Sequence, residues 1–506
     1  QAEMEGAIAL ALQYRDQASE HADDLLSEKQ EEAEQLRQDM IDIAQTYAAN
    51  AATALLNFDH AHAAELYGKA YEAVAQWDDA LALAFKTNEA DALSDLGYYR
   101  GDNAALVASL EAYNEALALA PQGAAPAEWA KLQDRVGQAS QTLGIRLTEL
   151  ATLQSAIGFY EAALTVRTEA AMPEDWAKTQ NNLANAYYSL GERAGDPELL
   201  RKAVGAFDAS LRVFTPEAEP VKWATVANNR GAAQLKLAEL IYTATDSMEM
   251  AAAMAGDPDP TNIPEVKAAR EQAIAEAGAA IVSLEAAAEA SSRADNPLDW
   301  AMLQHTLGSA LHLRGDLTKS AEDLQLAVER FHVALEVYTR DRTPAQWVRS
   351  SNNLAISLKK LSDFTSDPAP LKEAIATYRA VLEGTSRDDM PLDWAAYQQN
   401  LGNALGVLAE YEDAVPNLDA ALAAYRAAGE VITLEQGAAG WKQLQNAVSM
   451  TLLMHSLKSF DRTKAEEARD LAIATRDKLR EVGAPDEPYY EMFLPMVEQV
   501  ITIIPE

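Results

Sequence analysis

The stretch "MPEDWAKTQNNLANAYYSLGERAGDPE", residues 172–198, sets Asn181 and Asn182 side by side inside a run whose apolar residues recur at helical spacing. Asn is less favourable than Ala within a helix by roughly 0.5 kcal/mol, and a solvent-facing position ordinarily takes Glu, Lys or Gln. These amides therefore either satisfy something structural or face something that binds. Pro173 suits the first helical position, where the missing N–H has no partner to lose. Glu174 and Asp175 follow it and favour a helix N-terminus. Asp196-Pro197 ends the stretch with a cap and the start of a second helix.

The same pattern recurs along the chain. Seven of the eight tryptophans, Trp129, Trp176, Trp223, Trp300, Trp347, Trp394 and Trp441, are spaced by 47, 47, 77, 47, 47 and 47 residues, the long interval being one period plus an insertion of 30. A proline lies three residues before six of them (Pro126, Pro173, Pro220, Pro297, Pro344 and Pro391); Ala438 takes the seventh slot and Pro485 the next. A second helix keeps the same spacing through Tyr160, Phe207, Leu284, Phe331, Tyr378 and Tyr425. Each unit reads as helix, loop, helix, and periods of this length mark stacked repeats.

"NNLANAYYSLGE" (181–192) and "QNLGNALGVLAEYEDA" (399–414) resemble the first helix of tetratricopeptide repeats, and "EAIATYRAVLE" (373–383) resembles the second. The resemblance covers residues 126–484, with a period longer than the family's usual one. The "NNLA" wording is similar to repeats of the kinesin light chain type. "PLDWA" with "QNLGNAL" is similar to long-period bacterial arrays often joined to signalling or effector domains, although this sequence shows no such domain. The resemblance implies an all-α, right-handed α-α superhelical solenoid whose first helices line a concave groove.

At 100° per residue from Trp176, Leu183 and Tyr187 fall within about 20°, whereas Lys178, Asn181, Asn182 and Asn185 fall between about 140° and 240°. The two asparagine slots hold, over seven units, Asp134, Arg135, Asn181, Asn182, Asn228, Asn229, His305, Thr306, Asn352, Asn353, Gln399, Asn400, Asn446 and Ala447. Eight of these fourteen are Asn and only two are charged, which a purely solvated face of an acidic chain would not show. An amide offers donors and acceptors that match the backbone of an extended peptide. The candidate partner-binding residues are therefore Lys178, Asn181, Asn182, Asn185, Asn228, Asn229, Arg349, Asn352, Asn353, Gln399, Asn400, Asn403 and Asn446. The competing reading is that each amide bonds a neighbouring helix and stitches repeats together.

The 506 residues carry a formal charge of −37 and no cysteine. Clusters of Lys and Arg are missing, so nucleic acid and anionic membranes are poor partners; a protein or peptide partner is expected, and a basic one complements the charge. Disulfides and thiolate metal sites are excluded. The seven histidines keep no metal-ligand spacing, and no phosphate loop or nucleophile motif is present. Neither catalysis nor a cofactor is expected; the chain reads as an interaction scaffold or adaptor. The alternatives are a regulatory module of a signalling or defence effector system, or a self-assembling structural protein. No run is long enough to span a membrane. The start at Gln1 fits a processed or trimmed chain: cytoplasmic location is expected, or a periplasmic or exported one if a signal peptide was removed.

Outside the seven units, residues 1–40 read as one acidic helix, 41–125 as two diverged hairpins and 485–506 as a terminal cap. Within the first helix, Ala22, Leu26, Ala33, Leu36, Met40, Ile43 and Tyr47 form a coiled-coil-like seam that could mediate homo-oligomerisation. Packing of this helix on the first hairpin is the favoured alternative. The insertion, 241–267, carries Met248, Met250 and Met254 and reads as a lengthened loop or as an adaptable Met-rich surface.

Overall fold

The structure, a computed structural model, describes residues 2–254, 259–483 and 488–505, and among them every regular element is a helix. The chain is an all-α helical repeat solenoid built as two compact units, residues 1–213 and 214–506.

The first unit opens with α1, Ala2–Leu56, followed by α2, His60–Val74. The helix does not stop near residue 40; neither proline nor glycine occurs between Ala7 and Leu56 to interrupt it. Ile41, Ala44, Ala51 and Ala54 of α1 are buried in one core with Tyr67, Ala70 and Val74 of α2. Packing on the hairpin therefore holds only the C-terminal part of α1. Leu26 and Leu36 are 58% and 50% exposed, whereas Met40 and Tyr47 are partly buried against the hairpin core. Next come α3 (Asp79–Arg100), α4 (Asn103–Leu119), α5 (Pro126–Leu147), α6 (Leu150–Leu164), α7 (Pro173–Ala194) and α8 (Pro197–Leu211).

In the second unit, α9 (Pro220–Met254) and α10 (Pro264–Ala290) precede α11 (Pro297–Thr318) and α12 (Ala321–Leu335). Three more hairpins follow: α13 (Pro344–Thr365) with α14 (Pro368–Gly384), α15 (Pro391–Leu408) with α16 (Ala414–Gly429), and α17 (Ala438–Ser459) with α18 (Arg462–Glu481). α19, Pro488–Ile503, buries Phe493, Val497 and Ile501 in one core with Ala465, Ala468 and Leu479 of α18. The expected ruler slot at Pro485 lies outside the described residues.

The insertion is not a lengthened loop. It extends both helices of one hairpin, to 35 residues in α9 and 27 in α10, against 22 and 15 in α11 and α12. Thr245 and Val266 are buried within the extension, while Met248 and Met250 are exposed. The Met254 side chain and residues 255–258 lie outside the described residues.

Local chemistry fixes the helix ends. Asp196 and Asp367 accept hydrogen bonds from the backbone N–H groups of Glu198 and Ala369 at 2.8 and 2.9 Å, and each precedes the proline that opens its helix. The first helices of several hairpins end in the left-handed region, at Thr148, Gly195, Lys319, Ser366 and Phe460. Only Gly195 meets that conformation without a Cβ penalty.

The deepest anchors are the second-helix residues Tyr160, Phe207, Leu284, Phe331 and Tyr378, each at most 1% exposed. The tryptophans differ from the simple packing stripe that their spacing suggests. Trp176 is buried, while Trp300, Trp347 and Trp394 are partly exposed. Each sits in the first turn of its helix at a repeat edge, where an arginine covers it: Arg212 over Trp176, Arg293 over Trp300, Arg340 over Trp347 and Arg387 over Trp394, at 5.0 to 6.0 Å. All four of those guanidinium groups also meet a carboxylate 43 positions away, in the pairs Arg212–Glu169, Arg293–Glu336, Arg340–Glu383 and Arg387–Glu430, at 2.8, 2.6, 3.8 and 2.7 Å. Such exposed pairs contribute little energy and mainly fix orientation.

Candidate functional site

The candidate residues sit on the first helix of each hairpin, and the structure divides them. Asn181 and Asn182 do not stand clear in solvent; both are partly buried. Asn182 Nδ2 points to the Asp134 carboxylate of α5 at 3.4 and 3.5 Å, and Asn353 Nδ2 points to Ser309 Oγ of α11 at 3.4 Å. These distances exceed those of a strong N–H···O bond. Both partners lie one repeat earlier, so these amides approach the neighbouring helix while remaining weakly bonded.

The preceding slot is deeper. Among the described residues, Asn181, Asn228 and Asn352 each have a buried Oδ1 without a hydrogen-bond partner, and Asn228 is only 6% exposed. A buried acceptor left without a donor costs roughly 1–3 kcal/mol. Elsewhere the slot is served. Asp134 meets the buried Arg167 guanidinium at 3.6 Å, and His305 Nδ1 meets Ser350 Oγ at 2.8 Å. Burial, with the nearby Arg349 charge adding to it, pushes His305 down to about 4, so it is neutral at pH 7.

One candidate asparagine acts as a stitch: Asn446 Oδ1 accepts from the Tyr490 hydroxyl of α19 at 3.1 Å, whereas Asn403 Oδ1 accepts from the Tyr425 hydroxyl of α16 at 2.7 Å within its own hairpin. Lys178 and Arg349 are exposed, and Lys178 pairs with Glu174 at 3.0 Å. Asn185, Asn229, Gln399 and Asn400 are partly buried.

A cavity of about 280 Å³ lies between α9 and α11, and Asn228, Ser291, Trp300 and Leu303 are among its lining residues. Reading the asparagines alone misses Ser291, because its meaning appears only when the loop slot is compared across repeats. That slot holds Arg167, Phe214, Ser291, Tyr338, Thr385 and Ile432. Among the described residues, no group of three or more His, Asp or Glu side chains is placed to hold a metal ion. No helix there is long and apolar enough to cross a membrane.

This geometry defines a repeat protein of the helical-hairpin class. A tetratricopeptide-repeat family model matches residues 176–205, which carry α7 and the start of α8. No curated protein matches the chain. Among solved structures, the apo form of RapI is similar at 14% identity, covering 87% of this chain and 99% of that one with a TM-score of 0.44. A Rap protein complexed with competence and sporulation factor is similar at 11% identity, 91% and 99% coverage and a TM-score of 0.37. The TPR2AB domain of yeast Sti1, in a pHSP90 complex, is similar at 18% identity, 61% and 99% coverage and a TM-score of 0.22.

Proposed function

We propose that the chain is a non-catalytic interaction scaffold that binds an extended protein segment along the asparagine-bearing faces of its first helices. The observation that carries this reading is the pair of partly buried amides of Asn182 and Asn353, which share one slot and hold only long contacts of 3.4 to 3.5 Å to the preceding repeat. An amide can both donate to and accept from the backbone of an extended segment. The weakly bonded amides of Asn182 and Asn353 can change partner at small cost. The charge of −37 favours a basic segment.

The test is a display selection of random peptides on the full chain. Enriched peptides are then titrated against the wild type and against Asn182→Ala/Asn229→Ala/Asn353→Ala/Asn400→Ala. Unchanged melting with weakened binding supports a recognition surface. A large fall in melting temperature would make the amides stitches and sink the recognition reading.

A second reading, homo-oligomerisation through residues 1–40, is favoured by one observation: Leu26 and Leu36 lie exposed on α1. Light scattering of the full chain and of a chain lacking residues 1–36 tests it. Equal particle mass per chain in both removes the reading.

A further inference from the structure

The loop position that precedes each first helix carries a buried aromatic side chain on either side of the cavity between α9 and α11. It is Phe214 one repeat earlier and Tyr338 one repeat later, each 3% exposed. Tyr338 lies in one core with Ala301 and Ala334, and its hydroxyl reaches the Leu298 carbonyl at 3.4 Å. At the cavity the equivalent residue is Ser291, and about 280 Å³ is open there. A cavity of about 150 Å³ accepts a benzene ring, so this one admits the side chain of a phenylalanine.

The lining narrows the occupant. Val221, Ala224, Trp300, Met302 and Leu303 give the space apolar walls. The hydroxyls of Thr225 and Ser291 are already bonded to nearby carbonyls, of Val221 at 3.0 Å and of Ala287 at 2.8 Å. An apolar group therefore suits the interior better than one that needs a hydrogen-bond partner. Asp295 and Asp299 are the charged lining residues, and both are exposed. The cations beside them are engaged: Arg293, over Trp300 at 5.0 Å, pairs with Glu336 at 2.6 Å, and Lys222 meets Glu219 at 3.4 Å. The mouth stays negative and favours a cation next to the apolar group. Asn228 of the asparagine-bearing face is also a lining residue, so the space continues that face. The chain itself presents an apolar ring from a loop at Phe214, and a residue of a protein segment reproduces that arrangement where a free small molecule does not.

We propose that this cavity is the anchor pocket of the bound segment and takes a phenylalanine side chain flanked by lysine or arginine. The assignment rests on the reading of the chain as a scaffold for a protein segment, and adds which residue of that segment is held and where.

The experiment titrates the full chain, by ligand-observed NMR, with the acetylated and amidated tripeptides Lys-Phe-Lys, Lys-Ala-Lys and Glu-Phe-Glu, and with phenethylamine. Lys-Phe-Lys binds about tenfold tighter than Lys-Ala-Lys, as expected for burying one ring. It also binds tighter than Glu-Phe-Glu, by a margin that shrinks as salt rises. Phenethylamine binds more weakly than Lys-Phe-Lys. Ser291→Phe, which copies Phe214, fills the space: Lys-Phe-Lys binding is lost while melting is unchanged or rises. Asp295→Asn/Asp299→Asn, both at the exposed mouth, narrows the margin between Lys-Phe-Lys and Glu-Phe-Glu. Asn182→Ala/Asn353→Ala leaves Lys-Phe-Lys binding intact. Display-selected peptides that bind Ser291→Phe as well as the wild type overturn the pocket and leave the scaffold reading standing. A selection that yields no binding peptide, with the tripeptides still in the expected order, removes the asparagine groove and leaves the pocket. Lys-Phe-Lys no tighter than Lys-Ala-Lys, a charge margin that is absent or unmoved by the aspartate variant, phenethylamine as tight as Lys-Phe-Lys, or tripeptide binding that survives Ser291→Phe overturns the proposal.

Discussion

Replacing Arg167 by Met should destabilise the first unit by about 3 kcal/mol, because it leaves the Asp134 charge buried without its counter-ion. The two side chains are 9% and 10% exposed and 3.6 Å apart. At that separation the attraction is roughly 4–5 kcal/mol for an effective dielectric constant of about 20. Asp134 retains Gln138 Nε2 at 2.9 Å and the long contact to Asn182, which lowers the net loss. Thr179 loses the Arg167 donor but keeps its own bond to the Asp175 carbonyl at 2.9 Å. The double variant Arg167→Met/Asp134→Asn removes both charges and should recover to within about 1 kcal/mol of wild type, since buried pairs can often be exchanged for neutral side chains without loss. Repeat arrays do not always unfold in one step, so the assay should resolve location. Hydrogen exchange of the α5 and α7 amides, with denaturant titration of the whole chain, does this. A harmless Arg167→Met, or a double variant as unstable as the single, would refute the reasoning.

Phe331→Ala should cost about 3–5 kcal/mol, since the ring is fully buried and packs edge-on to His305 at 5.5 Å. Trp347→Ala should cost less, about 2 kcal/mol, because water can enter the vacated edge site; denaturant titration of both variants checks the order. Acidification should weaken the second unit through His305. Its folded pKa of about 4 lies below the ordinary 6.5, so its contribution is complete above pH 6.5 and is lost as pH falls toward 4. The effect is about 3 kcal/mol by linkage, and His305→Gln, which copies Gln399, should flatten that part of the stability–pH curve. Ser366→Gly should raise stability by up to about 1 kcal/mol in thermal melts, because Ser366 holds a φ of 54°.

Much of the architecture is legible in local chemistry. Pro at a first helical turn, Asp before Pro, and apolar residues at helical spacing each act within a few residues, so the sequence by itself determines the hairpins and the resemblance at "NNLANAYYSLGE". The deepest core residues, Tyr160, Phe331 and Tyr378, stand on the second-helix ruler for the same reason. Other properties depend on which repeat faces which and could not be read from one helix. The tryptophan spacing is visible, but the arginines that cover the rings come from the end of the preceding repeat and could not be read from one helix. A helical wheel places Asn181 and Asn182 opposite the core of their own hairpin, but the preceding first helix packs against that side and partly buries them. Asn403 and Asn446 resemble the other asparagines in sequence, and only the approach of Tyr425 ties the first within its own hairpin and that of Tyr490 ties the second to α19. That the insertion lengthens two helices, burying Thr245 and Val266, is decided by the packing of α9 on α10. Ser291 is an ordinary loop serine in the sequence, and only the approach of α9 and α11 makes it a lining residue of the cavity between them.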